Sequence, residues 1–205
     1  YLPHGVDYHL FKEAAEKKEN IEELQGVSHP IVGYFGTLTA HNDIELLEYC
    51  ATHLPTYTFI FAGQITGGNY QPLKQLSNVR FLGRLPYDHI PSLCATIDVG
   101  LLPWKLDEWI ENCNPLKMFE YLACGKPVVS VPIREAEKYP DCVLVCPDKQ
   151  TFCQAIESAV LTDSSEKAEV RMKLAQRHSW QEQGHKIQNL IDDLLKHKRE
   201  EKTDD

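Results

Sequence analysis

Lys117 and Glu120 are the pair around which chemistry can be assembled in this chain. They are an ammonium and a carboxylate three residues apart in a run, NPLKMFEYLACGKPVV at residues 114–129, that is otherwise almost wholly apolar. A charge buried on such a helix is costly unless it has a partner. The two can meet each other, as a helix-surface ion pair worth ~0.3 kcal/mol. Alternatively, both can meet a ligand. The free N–H groups and positive dipole end at Leu116, Lys117 and Met118 suit a phosphate, with Lys117 adding a full charge. Glu120 lies ~6 Å further along the axis than Leu116 at ~1.5 Å per residue. That offset suits a ribose diol, whose two hydroxyls one carboxylate can accept. Spacing alone leaves both readings open.

The element that positions this pair is sharply punctuated. Asn114 is a favoured N-cap, and Pro115 at the first helical position loses no intrahelical bond. Gly125 supplies a left-handed C-cap and Pro127 forbids continuation. Residues 128–131 (VVSV) then read as a buried strand. Other strands are expected at residues 31–35, 57–62, 78–83, 97–103 and 142–146, separated by helical patterns. Alternation of this kind implies a doubly wound parallel sheet, an α/β, Rossmann-like fold with ligands at the strands' carboxyl ends. Gly36 and Thr37 close the first of these strands, so their backbone is a candidate phosphate or sugar contact, or simply a tight turn.

Several connections carry their own expectations. Residues 12–29 are charged and helix-prone, and Asn42 or Asp43 can cap the helix after the first strand. Gly67 and Gly68 read as loop flexibility, with no dinucleotide fingerprint. Residues 104–113 (WKLDEWIENC) read as a loop whose two Trp and one Ile form a small apolar cluster or, for a Trp, a stacking surface for a sugar or base. Residues 134–138 read as a polar connection. Trp180 opens an amphipathic helix whose stripe is Ile187, Leu190, Ile191, Leu194 and Leu195, and the charged tail from residue 196 is expected to fray.

Composition narrows the classes. The chain has 205 residues, 42% of them hydrophobic, enough for a real core, and its net charge of −9 argues against a nucleic-acid or anionic-membrane surface as its main function. Its seven Cys are odd in number and scattered, without a C-x2-C pair, and so read as reduced thiols. Cys142 and Cys146 read as packing rather than as a metal site. No apolar run approaches ~18 residues. A cytoplasmic location, with room for peripheral attachment at the inner membrane face, is the expectation.

The run NPLKMFEYLACGKPVVS resembles the nucleotide-sugar segment of the "group 1" (family 4) glycosyltransferases of GT-B architecture, especially members acting in bacterial cell-surface polysaccharide synthesis. YLPHGVD followed by Phe11 resembles the segment that opens the second half of such enzymes. Residues 84–87 (RLPY) resemble the family's G-x-V/L-P loop over the nucleobase. The resemblance implies that residues 1–198 are a donor-binding domain, that 199–205 are a tail, and that the acceptor-binding N-terminal domain is absent from this chain. It implies a donor such as a UDP- or GDP-sugar and a glycan or lipid-linked acceptor reached through the absent domain. It also implies retaining transfer without a metal or other cofactor, and no D-x-D occurs here to hold one. The second Glu of the family's Glu-x7-Glu motif falls on Glu120, implying a ribose contact, and the first falls on Asn112, a departure at the contact to the transferred sugar. The Arg and Lys usual after the first strand are replaced here by His41, Asn42 and Asp43. The donor-binding set implied is Gly36, Thr37, Arg84, Leu85, Asn112, Asn114, Leu116, Lys117 and Glu120, with no catalytic residue assignable. An epimerase or phosphorylase of the same fold, or a non-catalytic nucleotide-binding scaffold, remain the alternatives.

Overall fold

The computed structural model describes residues 3–17 and 21–200, with side chains through residue 196. Six strands form one sheet: β1 (Ile31–Phe35), β2 (Thr58–Ala62), β3 (Val79–Gly83), β4 (Val99–Leu102), β5 (Val128–Ser130) and β6 (Val143–Val145). Their order is β3-β2-β1-β4-β5-β6 and every pairing is parallel. The helices, in chain order, are α1 (Tyr8–Lys17), α2 (Ile44–His53), α3 (Gln71–Lys74), α4 (Ile90–Thr96), α5 (Glu108–Glu111), α6 (Leu116–Ala123), α7 (Arg134–Glu137), α8 (Lys149–Thr162), α9 (Ser165–Arg177) and α10 (Trp180–Glu200). Helices α1, α4, α6 and α9 pack on one another, while α2 packs with α3 and α8, so both faces of the sheet are covered. This two-sided burial explains why β1 and β4 are buried at every position and read as continuous apolar runs. The chain reverses its winding between β1 and β4, so the crevice of the fold opens there.

Helix α6 is seated on the sheet by a steric slot. Gly33 of β1 and Gly100 of β4 are register partners. A Cβ on Gly100 would lie 2.4 Å from the ring of Tyr121, so only glycine admits that ring, whose hydroxyl donates to the Gly33 carbonyl at 3.3 Å. At its far end α6 closes as expected. Gly125 has φ +70°, its N–H donates to Leu122 O and that of Lys126 to Tyr121 O, the paired bonds of a Schellman cap. The buried Arg171 of α9 then holds the Gly125 carbonyl at 2.8 Å and Asp163 at 2.6 Å.

Local details differ from the sequence reading where short elements or tertiary contacts decide. The first helix starts at Tyr8, earlier than its charged stretch suggests, because buried Tyr8 and Phe11 anchor it. A 3₁₀ turn at Glu22–Leu24 follows, and residues 18–20 of the expected helix lie outside the described residues. Residues 104–113 contain α5, and residues 134–138 contain α7, whose Glu135 is buried and held by Lys138 and Tyr139. The last helix continues to Glu200, past the expected start of the tail, and residues 201–205 lie outside the described residues. Of its apolar stripe, all five residues are exposed. Gly67 and Gly68 lie against Ala40 and Thr39, so they permit a close approach of two loops rather than flexibility.

Candidate functional site

The site grows from the carboxyl end of β1. Gly36 has φ +125° and Gly63, ending β2, has φ +149°, a pair of conformations that side chains rarely adopt. A Cβ on Gly63 would fall 1.9 Å from the Gly36 carbonyl, so the two turns interlock. The Gly36 N–H is already spent on Ala62 O at 2.9 Å, which corrects the expectation that it offers a phosphate contact. Thr37 is exposed, and its N–H has no acceptor among the described residues. Gly36 contributes by lacking a side chain: its missing Cβ would sit 3.4 Å from Lys117 Nζ.

Lys117 reaches this turn from the first turn of α6. Its ammonium lies over two rings, 4.8 Å from the Trp104 centroid and 5.1 Å from that of Tyr34. Each contact contributes about 0.5–2 kcal/mol, depending on desolvation. Trp104 Nε1 and the Tyr34 hydroxyl are 3.4 Å apart, so the rings form one corner. Among the described residues, no ion pair joins Lys117 to Glu120.

Glu120 is left as a buried carboxylate, 6% exposed, whose side chain makes no hydrogen bond or ion pair among the described residues. Burial pushes its pKa up to about 7, against a smaller downward pull from Lys117. It also raises Tyr87, behind desolvation, which brings the loop after β3 within its field.

The start of α6 corrects the expected cap. Pro115, not Asn114, occupies the N-cap with extended backbone and no side-chain cap bond, and half-buried Asn114 precedes it. Met118 N–H is spent on Pro115 O at 3.1 Å, so the free first-turn donors are those of Leu116 and Lys117. Asn112 is turned back on its own helix, its Nδ2 donating to Glu108 O at 2.7 Å. Arg84 and Leu85 follow β3, two strands from β1, with Arg84 exposed.

Two loops line the crevice and are zipped together. Asp43 N–H donates to Pro103 O at 2.8 Å and Lys105 N–H to His41 O at 2.7 Å. Asn42, 1% exposed, replaces the expected cation with a structural knot: its Oδ1 accepts from Thr39 N and from the Tyr70 hydroxyl, each at 2.9 Å. The cap of α2 is Asp43. Tyr34, Trp104 and Gly63 were not singled out as site residues, because each sits inside or beside an apolar run that reads as packing, and Asn42 read only as a cap or as a replacement for the family's cation. Only the Trp after Pro103 carried a signal. Among the described residues, no three His, Cys, Asp or Glu side chains are grouped to hold a metal, and no helix is long and apolar enough to cross a membrane. All seven cysteines are free thiols.

The fold is a parallel doubly wound α/β unit that gathers a helix tip, a cation and a buried carboxylate beside the point where its winding reverses. The chain belongs to the glycosyl transferases group 1 family, whose description matches residues 29–162. It is 32% identical over 140 residues to the Bacillus subtilis (strain 168) protein TuaH, whose name assigns it to teichuronic acid biosynthesis as a glycosyltransferase. That match covers 67% of this chain and 35% of TuaH. The fold is shared with the sucrose-phosphate synthase of Thermosynechococcus elongatus, with TM-score 0.75, 19% identity, 96% of this chain and 52% of that one covered. It is also shared with Anabaena Alr3699/HepE, solved in complex with UDP-glucose, with TM-score 0.69, 20% identity, and 92% and 56% covered. The chain therefore spans about a third of the curated relative and about half of the solved chains.

Proposed function

We propose that this chain is the donor-binding part of a glycosyltransferase acting in cell-surface polysaccharide or glycoconjugate synthesis, and that it grips a nucleoside diphosphate sugar at the tip of α6. The observation that carries this reading is the buried Glu120 carboxylate, without a partner among the described residues and one turn along the helix from Lys117. A ribose diol satisfies that carboxylate, and a diphosphate fits between Lys117, the Leu116 and Lys117 N–H groups and the Thr37 N–H. Arg84 and Leu85 border the nucleobase end, and Asn112 with Asn114 borders the sugar end. A UDP-sugar is the first donor to try, since HepE was solved with UDP-glucose and UDP.

The protein's own groups do the neutralising in this reading, and no metal or other cofactor takes part. The acceptor, a glycan or lipid-linked saccharide, is bound by a further domain of the whole enzyme. A cytoplasmic location, at or near the inner membrane face, is part of the same reading and is supported by seven cysteines that are all free thiols. Thermal-shift measurements on the 205-residue chain against UDP-, GDP-, TDP- and ADP-sugars test the proposal, because a ligand selective for the native state raises its melting temperature. A rise with one base and none with the others supports it, and no rise with any of them refutes it.

A further inference from the structure

Trp109 differs from the buried Trp104 five residues earlier: its indole is 67% exposed. It stands on α5, which is locked by the Asp107 side chain accepting from Ile110 N–H at 2.8 Å and by burial of Ile110. The His41 ring lies against the indole, centroids 5.2 Å apart, and is itself held by Asp107 Oδ2 at 3.2 Å. The rest of the indole borders an open cleft of about 530 Å³ lined by Asp107, Glu108, Asn112 and Cys113. Leaving an indole this exposed forgoes the gain of burying it.

We infer that Trp109 is a stacking platform for a neutral hexose ring, with Glu108 and the Asn112 Oδ1 accepting its hydroxyls. A pyranose combines an apolar C–H face with equatorial hydroxyl donors, which is the complement of a bare indole ringed by acceptors. A phosphate or acidic group is disfavoured, because the cleft lining holds carboxylates and no cation. Asn112 Nδ2 is already committed to Glu108 O, so the amide presents its oxygen. The ring can be that of the nucleotide sugar or that of the acceptor saccharide, and the former case rests on the donor reading above.

The test uses intrinsic fluorescence and calorimetric titration of the 205-residue chain and of Trp109→Ala and Trp109→Phe, with three probes: UDP, UDP-glucose, and a panel of neutral hexose and N-acetylhexosamine oligosaccharides. Trp109→Ala is expected to lose about five- to tenfold in affinity for either UDP-glucose or an oligosaccharide, the size of one aromatic contact, while UDP binding stays unchanged. Trp109→Phe should recover most of it. Loss confined to UDP-glucose assigns the platform to the donor sugar, and loss confined to the oligosaccharide assigns it to the acceptor. The oligosaccharide arm reads the platform even where the parent binds no UDP, so failure of the nucleotide reading is seen separately. Equal weakening of UDP and UDP-glucose, or no sugar-dependent change in any arm, overturns the inference.

Discussion

Glu120 is costly to the empty protein, and its cost has a definite pH dependence. Its native pKa of about 7 stands above the ordinary 4.5. As pH rises from 4.5 to 7 the unfolded chain gives up a proton that the native state keeps, so stability falls, and the loss is complete above 7. The loss is on the order of 3 kcal/mol. Glu120→Gln is therefore expected to melt higher than the parent at pH 8 and to match it near pH 4.5, as scanning calorimetry would show. The same variant should weaken nucleotide binding by about 1.5–3 kcal/mol, the range for hydrogen bonds to charged groups, with a smaller loss for the 2'-deoxy nucleotide. Unchanged nucleotide affinity in Glu120→Gln would remove the ribose from this helix. Lys117→Met separates the other half of the site. Titration calorimetry should show weaker UDP binding and nearly unchanged uridine binding, since only the former carries phosphate.

At the scale of the element, the position of α6 depends on Gly100 and Tyr121. Gly100→Ala pushes a methyl into the Tyr121 ring and is expected to cost about 1–3 kcal/mol, as overpacking does, read as a lower urea midpoint at unchanged slope. Nucleotide affinity should fall with it, since the tip of α6 moves when its seat does. An unaltered midpoint would mean that the ring has room elsewhere. The strands were legible because two-sided burial writes an apolar run, and the helix after β1 because Asp43 is a plain cap. The four-residue helices α5 and α7 were not, being shorter than two turns and held by contacts distant in sequence or by buried polar bonds. Within the site, Lys117 and Glu120 stood out as charges in an apolar run. The Tyr34–Trp104 corner did not, since an aromatic that holds a cation and one that fills a core look alike in a sequence.

For the whole molecule, the donor is expected to bind this chain without sustained transfer, because the chain spans only about half of the solved relatives. Steady release of sugar onto an acceptor by the purified 205-residue chain would contradict that. Chelation should leave donor affinity unchanged if, as proposed, Lys117 and the helix tip supply the positive charge. An affinity that collapses with EDTA and returns with Mg²⁺ or Mn²⁺ would reassign the phosphates to an ion. The two loops zipped across β1 and β4 carry a thermodynamic consequence. With Asn42 knotting one and backbone bonds joining it to the other, both have less freedom to lose when a ligand arrives than unconnected loops would have. Calorimetry on this crevice should therefore show association with little of the unfavourable entropy that closing a mobile lid would add.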